Sequence, residues 1–283
     1  MRKIIFLFIV LGLFLSSCEK INPDEDIPSY IQIDTQKVVI NDASKEGYNN
    51  HGISDAWVYI DGKYQGNYEI PSKFPLLSTG NHKVTIIAGI KTNGIGATRE
   101  EYPFYEEYTI DTVLPQSGIL DITPTFTYID NCVIWREDFQ DANMKIDKQE
   151  GMTSDTIFMR EENPDRPGDY YGAIYVNSAA RIFNAATNPE TDPINYFQAS
   201  RRIFLEMEYK NNQYFWVGMY ADGTPIPVER LNISKEWNTI YIDLTPVMKS
   251  NPANVYMLFF NVEYNGEHQG EVFLNNIKLV NYE

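Results

Sequence analysis

From Tyr30 onward the chain is written in short apolar runs, rich in β-branched and aromatic residues, that break at clusters of Gly, Asn, Asp and Pro. No useful window between Tyr30 and Tyr128 carries the 3.6-residue period of a helix. Runs of this length with such punctuation fold as strands joined by tight turns. Asp61-Gly62, between Trp57-Val58-Tyr59-Ile60 and Lys63-Tyr64, is the sharpest of these signals. Both central residues of a type I′ turn need positive φ, which Asp-Gly supplies. The chain is therefore expected to be all-β.

The first eighteen residues follow another logic. Arg2 and Lys3 precede an apolar run from Ile4 to Leu15, then Ser16-Ser17-Cys18. A basic start, a short apolar core and small residues at its end read as a secretory signal. The run is too short for a permanent membrane span. Leu15-Ser16-Ser17-Cys18 resembles the lipobox of bacterial lipoproteins. That resemblance implies processing at residue 18 and lipid on Cys18. Residues 19–28 are polar, acidic and Pro-containing, as a tether requires. Asp24-Glu25-Asp26 resembles the acidic signal that sends Bacteroidetes-type lipoproteins to the outer face of the outer membrane. A surface-exposed, lipid-anchored body is the resulting expectation.

The 283-residue chain has a net charge of −16, and the leader contributes only basic groups, so the remainder is more acidic still. Nucleic-acid binders need basic grooves to displace counterions. Adhesion to anionic lipid needs basic clusters. Both are excluded. Of the two cysteines, the anchor uses Cys18. Cys132 then has no internal disulfide partner. In Tyr128-Ile129-Asp130-Asn131-Cys132-Val133-Ile134-Trp135 it is expected to be a small buried hydrophobe.

The remaining length suits two domains of the usual size. In residues 29–128, strands are expected around Ile31–Ile33, Val38–Ile40, 55–66, Val84–Ala88, Tyr105–Val113 and Ile119–Tyr128. Val58, Tyr59, Ile60, Asp61, Gly62, Gly66, Leu77, Gly80, His82 and Val84 resemble the pattern of a PEGA-type module, a small immunoglobulin-like β-sandwich. His82 is then a turn residue. Residues 91–104 are expected to form an exposed loop, with Tyr102-Pro103-Phe104-Tyr105 folded back on the sheet.

Residues 129–283 open with Val133–Asp141 and hold strand candidates at 154–160, 170–176, 180–184, 202–210, 213–220, 237–244, 255–263 and 271–281. This pattern suggests a sandwich or jelly roll. The Glu137-Asp138-Phe139 opening and the closing Phe273-Leu274-Asn275-Asn276-Ile277 resemble jelly-roll modules of the galactose-binding and carbohydrate-binding type. That resemblance implies a structural Ca²⁺ held by Glu137, Asp138, Asp141 and the closing-strand position occupied by Asn275. Asparagine stands where those families carry aspartate, which removes a charge from the site.

The chain contains no Gly-x-Ser-x-Gly, His-Glu-x-x-His, Walker loop or Cys-x-x-Cys, and His51, His82 and His268 sit in no motif. An enzyme is not expected. Glycan binding pairs an aromatic platform with planar polar side chains, and the candidates are Glu206, Glu208, Trp216, Tyr220, Asn261 and Glu263. The ordinary place for an aromatic such as Trp216 in an apolar strand is the core. Two alternatives remain. One is a structural lipoprotein docking on an outer-membrane protein partner through sheet edges or residues 91–104. The other is a glycan hydrolase that uses Glu206 with Glu208.

Overall fold

The computed structural model describes residues 27–149, 151–188 and 201–283. The signal, Cys18 and most of the 19–28 tether lie outside the described residues.

The N-terminal half comprises β1 (Ser29–Ile33), β2 (Lys37–Val38), α1 (Ala43–Glu46), β3 (Asp55–Ile60), β4 (Lys63–Glu69), β5 (Ser72–Leu76), β6 (Gly80–Lys91), β7 (Arg99–Glu101), β8 (Tyr108–Leu114), β9 (Ile119–Asp121) and β10 (Thr125–Phe126). One sheet runs β4-β3-β6-β7, with β8 also on β6. Smaller sheets, β5-β1-β9 and β10-β2, face it. Period-two alternation sends Ala56, Val58 and Ile60 of β3, and Val84, Ile86 and Ala88 of β6, into one core with Ile31, Ile33 and Phe74. The β3–β4 turn has φ 49° at Asp61 and 76° at Gly62, as the Asp-Gly signal requires. The Asp61 carboxylate also holds His82 Nδ1 at 2.7 Å, and that hydrogen bond raises the imidazole pKa.

The C-terminal half comprises β11 (Cys132–Glu137), β12 (Ile146–Asp147), β13 (Met159–Glu162), β14 (Tyr170–Val176), β15 (Ile182–Thr187), β16 (Ile203–Asn211), β17 (Phe215–Ala221), β18 (Thr224–Leu231), β19 (Ser234–Asp243), α2 (Thr245–Ser250), β20 (Tyr256–Glu263) and β21 (Gly270–Tyr282). A six-stranded sheet has the order β13-β14-β21-β16-β19, with β11 on β21. A five-stranded sheet has the order β12-β15-β20-β17-β18. Consecutive strands cross between sheets at β14–β15, β16–β17 and β19–β20, the connectivity of a jelly-roll-type sandwich. Leu205, Met207, Leu274, Ile277 and Leu279 of the first sheet meet Phe215, Val217, Met219, Leu258 and Phe260 of the second. β18, which carries Pro225 and Pro227, is not among the expected strands. It is an edge strand, where proline costs no ladder bond.

The outer face of the six-stranded sheet is not left to solvent. Phe204, Tyr241 and Val280 project from it into the N-terminal core, beside Tyr102, Phe104 and Tyr105. The expectation of an exposed 91–104 loop holds for residues 94–98 and is corrected for the residues on either side. β7 lies within that segment, and Asn93 bonds both ways along β19, its amide to Tyr241 O at 2.7 Å and its Oδ1 receiving Asp243 N at 3.0 Å. Glu100 pairs with Arg202 at 2.8 Å. On either side of that exposed tip the segment clamps the halves together. Cys132 is buried at the same seam, where burial pushes its thiol pKa to about 11. Among the described residues no helix is long and apolar enough to cross a membrane.

Candidate functional site

The five-stranded sheet turns its second face outward. Along β17, Phe215, Val217 and Met219 point to the core, so Trp216, Gly218 and Tyr220 point away from it. Trp216 is 40% exposed, contrary to the ordinary expectation of a core aromatic. Register brings Asn261 of β20 directly beside Trp216, and Asn184 of β15 beside Asn261. Phe259 lies against Gly218, and its ring centroid is 4.9 Å from that of Tyr220. Pro225 and Pro227 of β18 close the other side. The result is a shallow groove of about 330 Å³ lined by Asn184, Trp216, Tyr220, Pro225, Pro227, Phe259 and Asn261.

The chemistry of this groove is apolar rings plus two amides. Its lining holds no carboxylate and no imidazole. Asn261 Nδ2 donates to Phe183 O at 3.4 Å, while Asn184 Oδ1 has no hydrogen-bond partner among the described residues. Gly218 is required: a Cβ there would drive into the Phe259 ring and stand 2.7 Å from Ile226 O. The absent side chain lets Phe259 lie across β17 and fill the gap between Trp216 and Tyr220. Asp222 and Gly223, with φ of 46° and 82°, close the β17–β18 hairpin. That second Asp-Gly pair is the sequence signal that marks β18.

Of the candidate residues, Trp216, Tyr220 and Asn261 come together here, and Glu263 follows Asn261 on the same face at the exposed end of β20. Glu206 and Glu208 do not join them. β16 and β17 belong to different sheets, and the two glutamates point into the seam with the N-terminal half. Glu206 is 3% exposed and accepts hydrogen bonds from the hydroxyls of Tyr102 and Tyr128, the latter at 2.6 Å. Lys278 Nζ stands 3.9 Å from its carboxylate and donates to the Tyr128 oxygen at 3.0 Å. Glu208 accepts from Asn50 at 2.6 Å and from Arg166 at 3.3 Å. Both carboxylates are sealed by structural partners, which removes the pair as a sugar or hydrolase site.

The calcium set is not assembled either. Among the described residues no three His, Cys, Asp or Glu side chains gather as metal donors. Glu137 spends its oxygens on the amides of Phe139 at 2.7 Å and Lys145 at 2.5 Å. Asp138 pairs with Arg136 at 2.9 Å. Asp141 lies on the rim of a separate cavity. Asn275 is turned to Asp169, donating to its two oxygens at 3.0 and 3.1 Å. The bulge that frees Asn275 falls between Glu206 and Glu208 in register, with Asn276 at φ 47°. Buried Asp169, further held by Arg166 at 3.3 Å, is an acid that no sequence motif marks.

No protein-family model matches the chain. No curated protein matches it in sequence. Among solved structures, it is similar to a family 27 carbohydrate-binding module of Caldicellulosiruptor saccharolyticus in complex with mannohexaose, with 13% identity, 51% of this chain and 95% of that one covered, and a TM-score of 0.35. A family 29 module, a point mutant complexed with cellulohexaose, shows 9% identity over 54% of this chain and 93% of that one, with a TM-score of 0.35. A family 30 module shows 15% identity over 53% and 82%, with a TM-score of 0.32. Scores and identities this low transfer neither residues nor ligands. What belongs to this chain itself is a nearly all-β fold of stacked sheets with an aromatic groove on one outward face.

Proposed function

We propose that the protein is a non-catalytic binding module that takes a neutral glycan in the groove of the β15-β20-β17-β18 sheet. The observation that carries this reading is the placement of Trp216. A large ring left 40% exposed, in line with Phe259 and Tyr220 and flanked by Asn184 and Asn261, costs solvation unless something covers it. A pyranose offers a C–H face for such rings and hydroxyls for such amides. The absence of charge from the lining favours a neutral sugar. The signal and lipobox motif complete the proposal: the body is held at the cell envelope by lipid on Cys18 and faces outward.

Affinity electrophoresis of the full chain through gels containing soluble neutral polysaccharides tests it. Retardation by at least one polymer, weakened in Trp216→Ala with an unchanged melt, is the expected result. Equal retardation of wild type and Trp216→Ala by every polymer that binds would rule the groove out.

A further inference from the structure

The sheet β4-β3-β6-β7 also has a face turned away from its core. With Ala56, Val58 and Ile60 inside, Trp57 and Tyr59 point out. Tyr64, across the hairpin on β4, meets both: ring centroids are 5.6 Å from Trp57 and 5.4 Å from Tyr59. Tyr64 is 50% exposed. The Trp57 indole reaches over Gly89, where a Cβ would come within 2.7 and 2.8 Å of its Cδ1 and Nε1. Glycine at that position lets the indole lie close to the sheet. Trp57 Nε1 has no hydrogen-bond partner among the described residues, an uncommon state for a buried donor.

Polar groups border these rings. Tyr59 donates to Glu101, and Asn67 accepts from Tyr64 at 3.4 Å. Asp55 pairs with Arg99, Arg99 with Glu69 at 3.0 Å, and Glu69 with Lys91 at 2.9 Å. In that chain of pairs two acids and two bases cancel, although the protein as a whole is strongly acidic. A charged ligand gains nothing from it. Glu101, at the Tyr59 edge, stands outside those pairs and works against an anionic ligand, so rigid aromatic area with polar groups at its rim suits a neutral polyol that brings both C–H and hydroxyl surface.

We infer that this face is a second saccharide platform, on which Trp57, Tyr59 and Tyr64 stack a neutral pyranose. It shares the sugar chemistry proposed for the Trp216 groove but does not require that groove to be occupied. It gives the N-terminal half a ligand of its own, beyond a role as spacer.

The test uses the full chain in native gels cast with galactomannan, xyloglucan, mixed-linkage β-glucan or starch. Tyr64→Ala removes an exposed ring, and Trp57→Phe keeps most of the packing should a larger change disturb the fold. Each is made alone and in the Trp216→Ala background. Loss of one aromatic anchor is expected to weaken binding about tenfold for at least one polymer, and residual binding of Trp216→Ala is expected to vanish when Tyr64→Ala is added. If Trp216→Ala alone abolishes all binding, the groove stands and this second platform falls. If Tyr64→Ala and Trp57→Phe weaken binding while Trp216→Ala does not, the platform stands and the groove falls. If no polymer retards the wild-type chain, both fall.

Discussion

Glu206 and Lys278 form a cross-strand pair, their carboxylate oxygen and ammonium 3.9 Å apart, at the centre of the seam between the two halves. Lys278 is 1% exposed. Its N–H donates to the Tyr128 oxygen, and the Tyr128 hydroxyl donates to Glu206. The C-terminal half thus supplies both charges, and the N-terminal half supplies Tyr128, which bridges them, and Tyr102, which donates to Glu206. An outward sheet face carrying a carboxylate and an ammonium is thereby made buriable. Removing either partner strands the other.

Lys278→Met should therefore destabilise the protein by about 3–5 kcal/mol, because the Glu206 carboxylate stays buried with no cation. Adding Glu206→Gln should recover part of that loss. Urea unfolding of the two single variants and the double variant closes the cycle. Strictly additive losses would show that the two groups do not interact.

Stability should fall steeply in alkali. Burial, and after it the neighbouring phenols and the Glu206 charge, raise Tyr102, Tyr105 and Tyr128 well above the ordinary 10.0, and burial raises Tyr241 likewise. Their contribution is complete below pH 10 and is lost as pH climbs toward the folded values, because only the unfolded chain releases the protons. Each contributes about 1.4 kcal/mol per pH unit in that window. Lys278 acts with the opposite sign. Burial lowers its pKa below 10.5, so its penalty is relieved as pH rises from its folded value toward 10.5. The expected profile is flat or gently rising up to the tyrosine range and then descends sharply. Urea melts across alkaline pH measure it, and stability that continues to climb through the tyrosine range would contradict it.

Gly218→Ala should lower stability by about 1–3 kcal/mol through overpacking against Phe259. It should also weaken any ligand of the groove, because the Phe259 ring is pushed out of line with Trp216 and Tyr220. Trp216→Ala should affect binding without the stability loss. Paired calorimetric and binding measurements on the two variants separate these effects.

The two halves should unfold together. Residues 129–283 alone would expose Phe204, Tyr241 and Val280 and open the Glu206–Lys278 pair to a bare face. Calorimetry of the intact chain should show one cooperative transition. The isolated C-terminal half should be aggregated or bind an apolar dye. A well-folded, monomeric C-terminal half with the stability of the whole would refute this.

Cys18→Ala should abolish labelling with radioactive fatty acid and release the body from the membrane fraction. Membrane retention of the unlabelled variant would remove the anchor from the account.

Much of the strand structure is legible in the chain because alternation is a local property. Asp61-Gly62 marks a hairpin, and the two alternating sets of β17 can be listed from Tyr214 to Tyr220 without any structure, though not which of them faces outward. The two-residue β12, and β18 with Pro225 and Pro227 among its eight residues, carry too little alternation of their own to be read, although their partners β15 and β17 are legible. Grouping Glu206 and Glu208 with Trp216 fails because nearness in the chain is not nearness in a sheet. β16 pairs with β19 and β21, while β17 pairs with β18 and β20, so consecutive strands face opposite sides of the sandwich.

Backbone geometry and composition act over a few residues. They are enough to make this chain a stack of strands, to assign the residues of each strand to one side or the other, and to make its surface acidic. Which side of each sheet meets water is a long-range matter. Stacking of the N-terminal half on the six-stranded sheet buries Glu206, Glu208 and Lys278, and leaves Trp216 and Tyr220 on the uncovered sheet opposite. Burial depends on what packs across a face, and that partner comes from more than a hundred residues away, as the Tyr102–Glu206 separation of 104 positions illustrates.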